Sequence, residues 1–383
     1  MIAQSFMDIG RPTPLLGGLS AREFMRRYWQ KKPLLIRSAK PAATAIVTRP
    51  ELFALAADEA VESRLVQRDS DRWSLRHGPF ARRGLPALKS PRWTLLVQGA
   101  DLHLDAAHRL LGNFRFVPDA RLDDVMFSFA TDEGGVGPHI DSYDVFLLQV
   151  AGRRRWRIGR SKRALMRADT PLKILADFVA TDEWLLDAGD MLYLPPGWGH
   201  DGVADGETIT ASIGFRSAGR ESLGIDVIQQ MLDAAQPAET EARYTDPDQK
   251  ATGRPARIPA ALRRYADASV RRLVDDREAR ATALGQALSE PKPGVWFDRA
   301  DGAASTGGPV RLDRRSRMLY DDRHVYLNGE ACRVDRRNAK MLQRLADRGR
   351  IEADELAALD SRGRAAVERW LVAGWLRCET TET

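Results

Sequence analysis

The sequence predicts an antiparallel β barrel or sandwich followed by two smaller modules, one helical and one of strands with short helices. Three observations predict it. Runs rich in Val, Ile, Leu, Phe and Trp recur between roughly residues 90 and 217, with turn residues between them and no long helices, which favours antiparallel strands over a βαβ sheet. After Arg216 the hydrophobic spacing changes to that of an amphipathic helix. From about Pro293 strand-like and helix-like segments return. A chain of 383 residues is long for one core, and the expected domains are 1–217, 218–292 and 293–383.

In chain order, LSAREFMRRY opens on Ser20 with Glu23 three residues later, a capping-box start for a short helix that Pro33 ends. LLIR follows as a strand. RWTLLVQG, VMFSFA, VFLLQVAG, RRWRIG, WLLDAGDMLYLPPG and TITASIGF are each expected as strands. ESLGIDVIQQMLDAA places Leu223, Val227, Ile228, Met231 and Leu232 on one helical stripe, and after a loop rich in Pro, Asp and Thr the spacing repeats through Leu262, Tyr265, Ser269 and Leu273. So short a helical pair has little core of its own, and docking onto a second copy of the chain would bury its stripes. The hairpin-like RMLYDDRHVYLNG with helices at NAKMLQRLADR, ADELAAL and RAAVERWLVAGWL suggests a winged-helix arrangement. Its last helix turns Val367, Trp370, Leu371 and Trp375 toward a core. Beyond Arg336, Arg337 and Lys340 it offers no obvious basic recognition face, so nucleic-acid binding is not expected of it.

With 43% hydrophobic and 29% charged residues, the composition is that of a folded protein. The start, MIAQSFMDIGRPTPLLGG, lacks a basic segment followed by an apolar run, and no window approaches eighteen uncharged apolar residues, so a cytoplasmic protein without a membrane span is expected. Cys332 and Cys378 have no metal-ligand spacing and are expected as reduced thiols outside any mechanism. A net charge of +6 favours acidic partners such as nucleic acid or a ribonucleoprotein surface, although Arg-rich chains are often basic for compositional reasons alone.

Chemistry concentrates in two segments. In GGVGPHIDSYDVFLLQVAGRRRWRIG, His139 and Asp141 stand two apart and on an extended strand would project from one face, inward in a barrel. MLYLPPGWGHDG then brings His200 through a Pro-Pro-Gly turn. A lone His-X-Asp is as ordinary on a strand surface as in a site. Joined to the second segment at barrel spacing, it makes the two-histidine, one-carboxylate set that holds iron(II) and leaves coordination positions open. Of the six histidines, His77, His103, His108 and His324 have no such setting and are expected as structural or surface residues.

GPHIDSYDVFLLQVAGRRRWRIG and GDMLYLPPGWGHDG, together with YWQKKPLLIR near the start, resemble the bacterial JmjC ribosomal oxygenases, the ribosomal-protein arginine hydroxylases related to the human nucleolar ribosomal oxygenases. The resemblance spans essentially the whole chain. It implies a mixed fold: a double-stranded β-helix core of the JmjC/cupin jelly-roll type, a helical dimerisation module that makes a homodimer, and a C-terminal winged helix. It also implies His139, Asp141 and His200 as iron(II) ligands, Arg154 as partner of the 2-oxoglutarate distal carboxylate with Ser128 beside it, and dioxygen as the second cosubstrate. A guanidinium suits that role, since its planar fork matches a carboxylate in two bonds and stays charged. Strand alternation leaves Arg153 and Arg155, or one of them, pointing out. Asp124, Met126, Tyr143 and Ser212 are implied as walls of a slot for a substrate arginine, where an aromatic and a Met would flank the stem and Asp124 face the cation. Tyr143 follows Asp141 by two and is expected on the same inward face. A buried Ser bonded to backbone and a Met in plain core are the ordinary alternatives for Ser128 and Met126. ATDEGG, where family members tend to be Gly-rich, is a departure at the cleft edge.

The implied reaction is hydroxylation at C3 of an arginine in large-subunit ribosomal protein L-sixteen, coupled to decarboxylation of 2-oxoglutarate to succinate. Two other readings stand beside it: a histidyl hydroxylase or lysine demethylase of the JmjC class, and a winged-helix nucleic-acid-binding regulator whose barrel is a degenerate sensor.

Overall fold

The Ser20–Glu23 capping box forms as expected: the Ser20 hydroxyl accepts from the Glu23 amide at 3.2 Å, and the Glu23 carboxylate accepts from the Ser20 amide at 3.0 Å. It starts helix α1 (Ala21–Arg27). The computed structural model describes residues 8–160, 165–235, 242–299 and 308–379. The first seven residues of the chain, the start of the loop after Ala235 and the side chains of Arg336 and Arg337 therefore lie outside the described part. The chain divides into two units, Met1–Ser217 and Ala218–Thr383.

The first unit is built on an antiparallel ten-stranded sheet. Its strands are β1 (Leu34–Ile36), β2 (Ser63–Asp69), β3 (Arg72–His77), β4 (Trp93–Val97), β5 (Leu122–Ala130), β6 (His139–Ile140), β7 (Val145–Arg160), β8 (Asp182–Leu186), β9 (Met191–Leu194) and β10 (Trp198–Phe215). The order is β1-β9-β7-β10-β5-β4-β2-β3, with β6 paired to β10 and β8 to β7. Helices α2 (Arg49–Ala56) and α3 (Asp105–Gly112) complete the unit. Phe24, Trp93, Phe114, Phe127, Phe129, Phe146, Tyr193 and Phe215 fill its core. Burying such a side chain contributes about 1.5–3 kcal/mol each relative to exposure.

Two sequence expectations change here. The sheet takes in residues well before 90: β1 pairs with β9, and β2 and β3 extend the sheet beyond β4. VFLLQVAG and RRWRIG are one continuous strand, β7, and TITASIGF is the second half of β10. The residues that look like turns are bends within the paired strands. Gly152 has φ +66°, and a Cβ there would stand 2.0 Å from the Glu207 carbonyl oxygen, while the β7–β10 register shifts between Asp205 and Ile209.

The second unit carries α4 (Arg220–Ala234), α5 (Ala260–Val274), α6 (Arg277–Ser289), α7 (Arg336–Arg348), α8 (Ala353–Ala357) and α9 (Ser361–Val372). Small sheets join β11 (Val310–Leu312), β15 (Arg350–Ile351) and β16 (Leu376–Cys378), and the expected hairpin β12 (Met318–Tyr320)–β13 (His324–Leu327) with β14 (Glu330–Arg333). Val367, Trp370 and Leu371 are buried as expected in the core of this winged helix, with Trp375 packed on it. Helix α6 was not expected. It packs against α4 and the β12–β14 sheet, whereas α4 and α5 have no buried residue.

Candidate metal centre

His139 and His200 are directly opposite each other in the β6–β10 pairing, with ring centroids 4.2 Å apart. Asp141 lies one residue past the end of β6, and its Oδ2 is 3.6 Å from His200 Nε2. One ligand atom from each of the three residues lies within 4.8 Å of the others, the one such group of His, Cys, Asp or Glu among the described residues. Close backbone approach supports the segment leading to it: a Cβ on Gly134 would be 2.6 Å from the Trp93 carbonyl oxygen and one on Gly135 2.6 Å from that of Gly202. The two glycines of ATDEGG are therefore required by packing.

The tautomers follow from the partners. Nδ1 of His139 faces the Gly137 carbonyl at 2.9 Å and Nδ1 of His200 faces the Trp198 carbonyl at 3.1 Å. A carbonyl only accepts, so both Nδ1 atoms carry hydrogen and both Nε2 lone pairs are left for a metal. Burial, with His139 nearby, pushes the His200 imidazole down to about 3, so it stays neutral at any working pH. Burial also raises the Asp141 carboxyl, against His139 and a hydrogen bond from Tyr143 that lower it. Two imidazoles and a carboxylate sharing one small space suit a divalent cation with open positions.

Arg154 is the inward member of the arginine triplet, 4% exposed, and Arg153 and Arg155 form exposed ion pairs with Asp205 and Glu183. Its Nη1 donates to Ser128 Oγ at 3.0 Å, but its Nε and Nη2, like the Trp156 indole nitrogen, are buried without a hydrogen-bond partner. Burial pushes the guanidinium down to about 10, still protonated at neutral pH. Buried donors of this kind are costly unless something accepts from them, and an acidic ligand would.

Met126 on β5 is directly opposite Ser212 on β10, and Asp124, two residues before Met126, sits against Gly214. Asp124 is buried; Gln98 Nε2 donates to its Oδ2 at 2.6 Å and the Gly99 amide at 3.1 Å. Tyr143 joins the group by a different route from the one expected. The strand stops at Ile140, so Tyr143 stands in a bend, 39% exposed, where its hydroxyl lowers the Asp141 carboxyl, instead of alternating with it along a strand. Burial and the carboxylates of Asp141, Asp124 and Asp123 raise its hydroxyl well above the ordinary range. Of the remaining histidines, His77 is exposed at a strand end and His324 is buried beside Tyr326.

Residues 109–223 match the JmjC domain family and residues 272–377 the ROXA-like winged helix. The ribosomal protein uL16 3-hydroxylase of Escherichia coli (strain K12) is 31% identical over 344 residues, 87% of this chain and 90% of that protein. The chain belongs to the JmjC ribosomal oxygenases. The X-ray structure of the E. coli ribosomal oxygenase YcfD superposes with a TM-score of 0.82 at 28% identity, over 94% of this chain and 98% of that one. The structure of YcfD in complex with cobalt and 2-oxoglutarate superposes with a TM-score of 0.80, also at 28% identity, over 94% and 99% of the two chains. For this ribosomal oxygenase the β core is thus the JmjC/cupin jelly roll. Three residues near the site had no sequence signal: Gln98, Arg64 and Asp144 gain their meaning from partners distant in the chain.

Proposed function

We propose that this chain is an iron(II)- and 2-oxoglutarate-dependent hydroxylase of ribosomal protein uL16, acting at C3 of an arginine side chain. The observation that carries the reading is the closed group of His139, Asp141 and His200 beside a buried Arg154 whose remaining donors have no protein partner. His139, Asp141 and His200 would hold the iron, and Arg154 with Ser128 the distal carboxylate of 2-oxoglutarate. Bound iron with 2-oxoglutarate and dioxygen supplies the oxidising power, leaving succinate and carbon dioxide as co-products. The chain's own work is placement and exclusion of water. Nε2 atoms are presented by imidazoles whose Nδ1 atoms face backbone carbonyls, and Trp156 and the surrounding strands wall the space.

On the substrate side, Asp124 gives a buried carboxylate for a guanidinium, and Met126, Tyr143 and Ser212 line the approach. A cation-facing carboxylate favours arginine over histidine as acceptor. Purified protein with iron(II), 2-oxoglutarate and a uL16 fragment is expected to add one oxygen to an arginine, read by tandem mass spectrometry. Oxidation confined to histidine would sink the assignment.

A second reading concerns assembly. Ile225, Ile228 and Leu232 on α4, and Leu262, Val270 and Leu273 on α5, are exposed. Apolar faces of this size seek a partner, and the helical segment 218–292 is accordingly proposed as a homodimer interface; sedimentation as a monomer at micromolar concentration rejects it. A cytoplasmic location is proposed with this reading, supported by the ribosomal-protein substrate it names; no helix among the described residues is long and apolar enough to cross a membrane. No nucleic-acid role is proposed for the winged helix, where Arg344 and Arg348 both lie against Glu355.

A further inference from the structure

The slot carboxylate has a neighbour of its own charge complement, and the two do not meet directly. Arg64 on β2 pairs with Leu96 on β4, which pairs in turn with Ser128 on β5, so Arg64 lies on the sheet face that carries Ser128 and Met126. Its Nη2 is 3.7 Å from the Met126 sulfur and donates to Gln98 Oε1 at 2.8 Å. The other end of the same amide, Nε2, donates to Asp124 Oδ2 at 2.6 Å. Arginine has only donors and the ionised carboxylate only acceptors, so the amide has one permitted orientation, oxygen to Arg64 and nitrogen to Asp124. The Gln98 main chain is fixed by a 2.9 Å bond to the Glu62 carbonyl, and the next amide, Gly99, donates to the same Asp124 oxygen.

Resting on the reading of the slot as an arginine site, we propose that Gln98 is a positioning residue that holds Arg64 apart from Asp124, so that Arg64 does not compete with a substrate guanidinium for that carboxylate. An amide is the right spacer. It satisfies a donor on one side and an acceptor on the other without adding charge. Remove it, and the half-buried Arg64, whose Nε stands 3.7 Å from the exposed Glu62 carboxylate, is left with no neutral group between its Nη2 and the buried, more strongly attracting carboxylate of Asp124. The enzyme's own arginine would then fill the place of the substrate's.

The test compares wild type, Gln98→Leu, Arg64→Leu and the double variant, each checked for a cooperative melt. The readouts are KM for a uL16 fragment, KM for 2-oxoglutarate, and binding of N-acetylarginine methylamide against the citrulline analogue by calorimetry. Gln98→Leu is expected to raise KM for the fragment at least tenfold without a matching rise for 2-oxoglutarate, and to lose the preference for arginine over citrulline. Adding Arg64→Leu is expected to restore most of both losses, a rescue that simple damage to the fold would not give. Should Gln98→Leu not melt cooperatively, Gln98→Asn, one methylene too short to span both partners, is used with the same expectations. If wild type itself binds the arginine and citrulline amides equally, the arginine slot fails and this proposal with it. If wild type discriminates but the Gln98 variant does so equally, or the double variant is no better than the single one, the spacer role alone is overturned.

Discussion

Tyr193 and Asp144, 49 residues apart in the chain, meet in a buried 2.6 Å hydrogen bond next to the segment that carries Asp141 and Tyr143. The Tyr193 hydroxyl also accepts from the Gln30 amide at 2.8 Å, and the Gln30 side chain donates to the other Asp144 oxygen at 2.9 Å. Asp144 is fully buried, and its main chain accepts from the Phe215 amide at 3.2 Å. The bend that sets Asp141 is therefore pinned from β9, from β10 and from the residues after α1.

Tyr193→Phe removes the donor to Asp144 and leaves a buried carboxylate short of a partner. A loss of about 1–3 kcal/mol of stability is expected, since an unsatisfied buried group costs its desolvation. Affinity for Mn(II) should fall with it because Asp141 loses its brace. Denaturant unfolding and calorimetric metal titration check the pair; a stable variant with unweakened metal binding would show that the bend holds itself.

Arg154→Lys keeps a charge but loses the planar fork. KM for 2-oxoglutarate is expected to rise about tenfold or more, equivalent to about 1.4 kcal/mol. Metal affinity should stay within a factor of a few, because Arg154 is bonded to Ser128 and to none of the three metal-facing residues. Succinate release as a function of 2-oxoglutarate concentration measures this, and an unshifted KM removes Arg154 from the cosubstrate site.

Gly202→Ala should act through Trp156. A Cβ at Gly202 would stand 2.6 Å from the Trp156 ring, whose centroid is 5.9 Å from that of His200. Overpacking of this kind typically costs about 1–3 kcal/mol, and a displaced indole would press on the His200 side chain. A lower melting temperature together with weaker Mn(II) binding is expected; a melting temperature equal to wild type would mean the ring moves freely.

In the second unit, pH should act through Asp313. Burial raises its carboxyl, but hydrogen bonds from Arg315 and Arg377 outweigh that and hold it at about 2, below the ordinary 3.8. A depressed acid contributes its stability in full above the ordinary value and loses it as the pH falls through its folded one. On the order of 2 kcal/mol is involved for a shift of this size. Comparing wild type with Asp313→Asn, the stability gap is expected to be widest at pH 5 and to shrink between pH 4 and pH 2. A gap independent of pH in that range would assign the cost of the substitution to packing instead.

Much of the site was legible because its chemistry restricts residue type. Two histidines and an aspartate in those contexts have few other uses, and the inward place of Arg154 was implied by the family resemblance, alternation along β7 requiring only that one or two of the triplet point out. What escaped has physical reasons. SRLVQRD and RWSLRH carry charged residues through the strand and so lack a clean two-residue period, which hid β2 and β3. Gly152 and the Asp205–Glu207 segment carry turn chemistry locally, yet cross-strand hydrogen bonding runs past both, so β7 reads as two strands and only the second half of β10 reads as a strand. Tyr143 was placed by a two-residue period in a segment that is not a strand. REARATALGQALS has small residues in place of a strong apolar stripe, which concealed α6. Gln98, Arg64 and Asp144 have partners 26 to 114 residues away, and no local pattern reports a contact of that range.

The bend at Gly152 carries a further meaning. Because the β7–β10 pair turns there, its far half sends Arg154 across to Ser128, whose own neighbour on β10 is Thr210 of the near half. Strand β10 thus carries both His200 of the metal-facing group and Ser212 of the proposed substrate slot. On the proposed reading, the carbon of a bound side chain that lies nearest the centre is set by residue spacing along that single strand. Slipping that strand by one position would exchange every inward side chain for its outward neighbour, so on that reading the spacing between centre and slot is a count along the backbone rather than a property of any one side chain.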